Sequence, residues 1–213
     1  MTEPTTLGNS LQAVLPPRPT ANSTTPPPTP STSPEKAPAW VAAGIPARYA
    51  RWELKDFPRP IVDEVYAWLG SPSWSLCLQG GLGTRKSSLA GATLKAWRRR
   101  HPDPLKPLAQ FVSMERLAHA ARDFDRGKPE IDGWRIGPML VLDDIGSARN
   151  TPHVSETLLH LLLHRYDWEL PTIITANLTL DELGRQVDDR LASRLREGRI
   201  IELAGGDRRK ETK

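Results

Sequence analysis

The chain has 213 residues, 38% hydrophobic and 25% charged, with a formal net charge of +4, a pI near 9.4 and one cysteine. The lone Cys77 excludes an intramolecular disulfide and a cysteine-based zinc site, and it fits a reducing cytoplasm. No run of about 18 apolar residues occurs, and the N-terminus lacks the basic and apolar regions of a signal peptide, so no membrane is expected.

Residues 1–38 contain ten of the 21 prolines among Thr and Ser. Such a segment cannot bury enough surface to offset its ordering entropy and is expected to be a disordered tail. Its apolar cluster, "NSLQAVL" (9–15), places Leu11, Val14 and Leu15 at i, i+3, i+4. That is one stripe if a partner folds the segment into a helix; the same residues also read as incidental parts of a spacer. From residue 39 onward about 175 residues remain, enough for one domain burying roughly 70% of its unfolded surface. Residues 39–74 read as a linker segment and 75–213 as the core.

Five short apolar runs read as strands: "SLCLQ" (75–79), "AQFVS" (109–113), "MLVLD" (139–143), "PTIITAN" (171–177) and "RIIEL" (199–203). Their continuous apolar character suits strands covered on both faces. Between them "SSLAGATLKAWRRR", "MERLAHAARDFDRG", "SETLLHLLLHRYDWEL" and "TLDELGRQVDDRLASRLREG" carry apolar residues at helical spacing. Ser113, Ser155 and Thr179 are the expected caps. Strands and helices alternating in this way predict a parallel α/β sheet.

The stretch "GGLGTRKSS" (80–88) follows the first strand and opens the first long helix. A phosphate loop belongs there, since backbone N–H groups and a helix N-terminus cradle phosphate while a lysine reaches the outer phosphates. Gly80, Lys86 and Ser87 fit the pattern G-x-x-x-x-G-K-[ST], but Arg85 stands where it requires glycine. A side chain there either strains the loop and crowds a phosphate, turns outward, or adds a phosphate contact. Downstream, "MLVLDDIG" (139–146) ends a strand in two carboxylates. At such a strand end Asp143 supports Mg²⁺ beside Ser87, and Asp144 polarises the attacking water. The bland alternatives are a glycine-rich turn and an Asp-rich turn.

Together these motifs resemble the AAA+ ATPases of the DnaC/IstB type, over roughly residues 43–209. "AGIPARYARWELKDF" (43–57) is similar to the segment preceding the family's ATPase core. "RYDWELPTIITANLTLDEL" (165–183) resembles its fourth strand, with the sensor 1 position on Asn177. "DDRLASRLREGRIIEL" (188–203) resembles the element that carries an arginine finger, here Arg190 or Arg194. "GGDRR" (205–209) resembles the closing G-x-D-x-R, with a sensor 2-like Arg209. The resemblance implies a P-loop NTPase of the AAA+ ASCE type, a three-layer α/β fold around a five-stranded parallel sheet. It implies ATP and Mg²⁺ as cofactors. Gly80, Gly83, Thr84, Arg85, Lys86, Ser87, Ser88 and Arg209 would hold the nucleotide, Ser87 and Asp143 the metal. Asp144, Asn177, Arg190 and Arg194 would be catalytic, with hydrolysis slowed by Arg85. The partners implied are a replicative helicase or a transposase, single-stranded DNA, and further copies of the chain when ATP is bound. A non-hydrolysing adaptor with a degenerate loop is the alternative.

Other features have plainer readings. Arg190 and Arg194 also read as a solvated basic face paired with Asp188, Asp189 and Glu197. Asn177 also reads as a strand terminator. "KAWRRRHPDP" (95–104) reads as a cationic helix C-terminus with Trp97 packed inward, more readily than as a nucleic-acid contact. His160 and His164 lie four apart on an apolar helix without a third metal ligand.

Overall fold

The computed structural model describes residues 39–102, 109–146 and 151–205, all within one unit of the chain, Ala37–Lys213. Five strands, β1 (Ser75–Gln79), β2 (Gln110–Ser113), β3 (Leu140–Ile145), β4 (Thr172–Ala176) and β5 (Arg199–Glu202), form one sheet in the order β2-β3-β4-β1-β5. Every pairing is parallel. The order brings the ends of β1, β3 and β4 side by side, although β1 and β3 are far apart in sequence.

Helices cover both faces. Short α1 (Ala39–Ala42) and α2 (Ala47–Ala50), a 3-10 turn at Leu54–Asp56, α3 (Arg59–Gly70) and α4 (Lys86–Arg100) share one core with Leu76, Leu78, Phe111, Val141, Ile173 and Ile201. The intervening strand residues Cys77, Val112, Leu140, Leu142 and Ile174 point the other way. They pack against α5 (Met114–Arg122), α6 (Phe124–Ile136), α7 (Pro152–Asp167), α8 (Leu180–Gln186) and α9 (Asp189–Arg196). Alternation along each strand therefore feeds two apolar layers. Cys77 is fully buried, and burial pushes its thiol up to about 12.

Three helical predictions need correction. The stretch 114–127 is two helices, because Asp123 leaves helical geometry and its carboxylate accepts the Arg126 N–H at 3.1 Å. The second helix continues to Ile136 through Pro129. It lies so close to α5 that a Cβ on Gly127 would sit 1.8 Å from the Ala120 carbonyl oxygen. The stretch 179–198 likewise divides, with Asp188 extended and capping α9. The helix expected from Ser155 starts at Pro152 and is capped by Thr151, since proline suits the first helical position. Ser113 and Thr179 cap as expected, Thr179 in a reciprocal capping box with Glu182. The tail with "NSLQAVL" and Arg209 lie outside the described residues.

Among the described residues the most deeply buried charged side chain is Arg165, near the end of α7 and 0% exposed. Its Nη1 donates to the carbonyls of Trp134 (2.7 Å) and Gly137 (2.8 Å), Nη2 to Pro171 (2.8 Å) and Nε to the Thr172 hydroxyl (2.8 Å). These carbonyls belong to the α6 C-terminus and the entry to β4, so one side chain ties α6 and α7 to the sheet. Burial lowers its pKa to about 9, still charged at neutral pH. Truncation orphans several buried acceptors. Arg165→Met is expected to cost about 3–5 kcal/mol in urea unfolding, with Arg165→Lys recovering only part.

Candidate functional site

The stretch 80–88 is a glycine-rich loop that leaves β1 and enters α4. Gly80 lies at φ 144°, where a Cβ would meet the Leu203 carbonyl oxygen at 2.4 Å, so the loop passes against the exit of β5 as only glycine permits. Gly83 also has positive φ, and the Thr84 hydroxyl donates to the Gly81 carbonyl at 2.9 Å. Lys86, 6% exposed, folds back so that Nζ donates to Gly80 O (2.8 Å) and Gly81 O (2.7 Å). Ser88 is buried in the first turn of α4. That turn has no acidic residue, and its N-cap residue makes no side-chain cap hydrogen bond.

Arg85 resolves the break in the loop pattern. It is the N-cap of α4 with φ 67° and ψ 26°, the left-handed conformation that glycine adopts freely. Holding a Cβ there costs about 1–2 kcal/mol. The guanidinium lies over the Trp52 ring, its Cζ 4.4 Å from the ring centroid. A cation over a buried indole returns about 0.5–2 kcal/mol, the same order as the backbone cost.

Behind the loop the two carboxylates are joined by one hydrogen-bond chain. Asp143 is 5% exposed at the end of β3. Burial raises its pKa, while hydrogen bonds from Ser87 and Thr175 pull it back; Asp144 raises it and the Arg48 charge lowers it. The Thr175 hydroxyl donates to Asp143 Oδ1 at 2.7 Å and accepts the Asp144 N–H at 2.8 Å. Asp144 sits at φ 68° on an irregularity between Leu142 and Ile145. Asn177, just past β4, donates through Nδ2 to Asp144 Oδ1 at 2.8 Å. A cation, a hydroxyl, a buried carboxylate and the N-terminus of a helix form the donor set of a phosphate–divalent-metal site.

The structure thus brings Ser87, Asp143, Asp144 and Asn177 together beside the 80–88 loop. Arg190 and Arg194 instead make their contacts elsewhere. Arg190 is exposed and pairs with Asp188 through Nε (3.0 Å) and Nη2 (2.9 Å), holding that carboxyl below the usual range. Arg194 lies 4.7 Å over the Tyr166 ring, and its buried Nε has no hydrogen-bond partner among the described residues. The expected pairing of this face with Glu197 is replaced, because Tyr166 donates to Glu197 at 2.8 Å. In the basic cluster, Lys95 and Arg99 converge on Glu53, and half-buried Trp97 stacks on His101 at 4.2 Å.

No protein-family model and no curated protein matches the chain. Solved structures do. The DnaC helicase loader superposes with a TM-score of 0.66 at 21% identity, over 75% of this chain and 100% of that one. The fold is that of a P-loop AAA+ domain. DnaI superposes at 0.64 and 19% identity, over 75% of this chain and 94% of that one. DnaA bound to AMPPCP and single-stranded DNA superposes at 0.62 and 19% identity, over 76% of this chain but 51% of that one. The chain therefore spans about half the length of that initiator.

Sequence reasoning assigned no role to Trp52 or Thr175. Thr175 carries a faint signal, a hydroxyl near the end of an apolar strand. Trp52 carries none, because its partner is 33 positions away, counting from 52 to 85. The elevated Asp143 pKa gives a test with its sign fixed. Above the raised folded pKa the folded state bears the full cost of a buried charge. The cost declines as pH falls from there toward the lower unfolded pKa, below which both states are protonated and it vanishes. Asp143→Asn is expected to raise the melting temperature at pH 7, by roughly 2–4 °C per kcal/mol relieved. The gain should shrink to nothing as pH falls to about 4.

Proposed function

We propose that the chain binds ATP with Mg²⁺ in the 80–88 loop and acts in DNA replication as a DnaC-like helicase loader with slow ATP turnover. The observation that carries this reading is the Ser87–Asp143–Thr175–Asp144–Asn177 network beside a buried loop lysine. The superposition on the whole of a helicase loader's chain favours replication over transposition, and the nucleotide and single-stranded DNA in the DnaA structure support both as ligand classes.

Lys86 would exchange the Gly80 and Gly81 carbonyls for phosphate oxygens, a stronger charge-assisted contact. Ser87 and Asp143 would hold the metal, which supplies charge neutralisation on the phosphates. Asp144 would accept the proton of the attacking water, oriented by Asn177. Slow turnover follows from Asp144 itself, whose Oδ1 is already engaged by Asn177 and whose reach is short. Arg190 or Arg194 would complete a neighbouring copy's site, making hydrolysis depend on self-association.

Lys86→Ala is expected to weaken ATP·Mg²⁺ binding by about a hundredfold or more, measured by calorimetry, because the loop loses its charge partner. Asp144→Asn should keep affinity within about threefold and abolish turnover. Unchanged binding in Lys86→Ala would place the site elsewhere. For the finger, activity per subunit should rise with concentration. Mixing Lys86→Ala subunits with Arg190→Ala or Arg194→Ala subunits should restore turnover for whichever arginine acts in trans. A flat concentration profile with no rescue from either mixture would remove both arginines from catalysis.

A further inference from the structure

The replacement of the loop glycine by Arg85 is matched by an equally specific feature outside the core. Trp52 belongs to the segment before α3, is 6% exposed, and packs at 6.2 Å against Phe57. The next residue, Glu53, accepts from Lys95 Nζ at 2.8 Å and from Arg99 Nη1 at 2.8 Å, and its backbone N–H donates to Asp56 at 2.9 Å. Lys95 Nζ also donates to the Ala50 carbonyl. The indole is thus a fixed platform, tied to the side of α4 by a second set of contacts. Arg85, at the N-terminus of the same helix, lies over that platform. The segment 50–56 is therefore fastened to α4 near both its ends.

We propose that Arg85 and Trp52 form a clasp that holds the phosphate loop in its binding conformation, so that nucleotide affinity is set partly by the segment preceding the core. Both are positioning residues, and the proposal rests on the nucleotide site proposed above. An arginine in the left-handed region is strained, whereas a glycine is not. With the stack intact, the guanidinium keeps the Arg85 backbone at the turn that aims the following N–H groups into the loop. Without the stack, the strained backbone relaxes and the donors lose their alignment. The clasp therefore matters only while a side chain occupies position 85, and this conditional dependence separates it from a general packing role for Trp52.

The test measures the Kd of ATP·Mg²⁺ for the full chain and for Arg85→Gly, Arg85→Ala, Trp52→Leu and Arg85→Gly/Trp52→Leu, well below each melting temperature. Arg85→Ala, which keeps the strained Cβ without the cation, should weaken binding about tenfold, or about 1.4 kcal/mol. Arg85→Gly should stay within about threefold of wild type. Trp52→Leu should cost about tenfold with arginine at 85 and under about twofold with glycine there. Equal losses in both backgrounds, or an Arg85→Ala protein that binds like Arg85→Gly, would overturn the clasp. The Arg85→Ala comparison leaves the core intact, so it decides even if Trp52→Leu fails to fold. Absence of binding by the wild type would sink the nucleotide reading instead. In that event the clasp is judged on melting temperature without ligand, where Arg85 and Trp52 substitutions should be non-additive; additive losses would overturn it.

Discussion

Keeping a carboxylate at the sealed end of β3 is the constraint around which this site is organised. Asp143 is nearly inaccessible, and burial alone would favour its protonated form. Two hydroxyls oppose that, one from the first turn of α4 and one from β4. Both donors come from elements that flank β3 only because of the sheet order β2-β3-β4-β1-β5. Thr175 does two tasks, since the oxygen that donates to Asp143 also accepts the Asp144 N–H. That second bond fixes the left-handed backbone of Asp144 and so aims its carboxyl at Asn177. The network is a chain in which each group's position depends on the one before.

A site of this kind opposes stability. The buried carboxyl of Asp143 and two non-glycine residues at positive φ, Arg85 and Asp144, all raise the energy of the folded chain. The two apolar layers supply the surplus that tolerates them. Leu76, Leu78, Val141 and Ile173 face one layer, and Cys77, Leu142 and Ile174 face the other. Their shared burial leaves β1, β3 and β4 little freedom to shift, so the ends of those strands remain in register while carrying strain.

The sequence made the skeleton of this arrangement legible, because apolar runs and glycines act locally. All five strands lie within a residue or two of their expected bounds, and "GGLGTRKSS" and "LVLDDIG" sit where a strand meets the next element. Helix breaks were less legible: Asp123 and Asp188 look like ordinary helix-surface acids, and only folding shows each capping the helix that follows. Least legible were the contacts between distant elements. Nothing around Arg165 announces a buried cation gathering carbonyls from α6 and β4. Likewise Arg85 reads as damage to a motif until Trp52 is placed beneath it.

The arginines differ in how they are held, and that difference bears on how the proposed assembly would work. Arg165 is bound by carbonyls inside the protein and cannot leave. Arg85 and Arg194 rest on aromatic faces, Trp52 and Tyr166, whose rings attract a cation. Arg190 is neutralised, but by Asp188 in an exposed pair of the kind worth about 0–1 kcal/mol. Moving Arg190 to a neighbour's phosphates would therefore cost little, and the Asp188 carboxylate would return to solvent. Moving Arg194 would give up the Tyr166 face but would also free a buried Nε that has no hydrogen-bond partner among the described residues. Phosphate oxygens offer that nitrogen the acceptor it lacks. In the proposed assembly Arg190 and Arg194 would each have an energetic reason to exchange the present contact for an anion on a second copy. Arg190 would exchange a weak ion pair for a stronger one, and Arg194 would gain a hydrogen bond for its Nε.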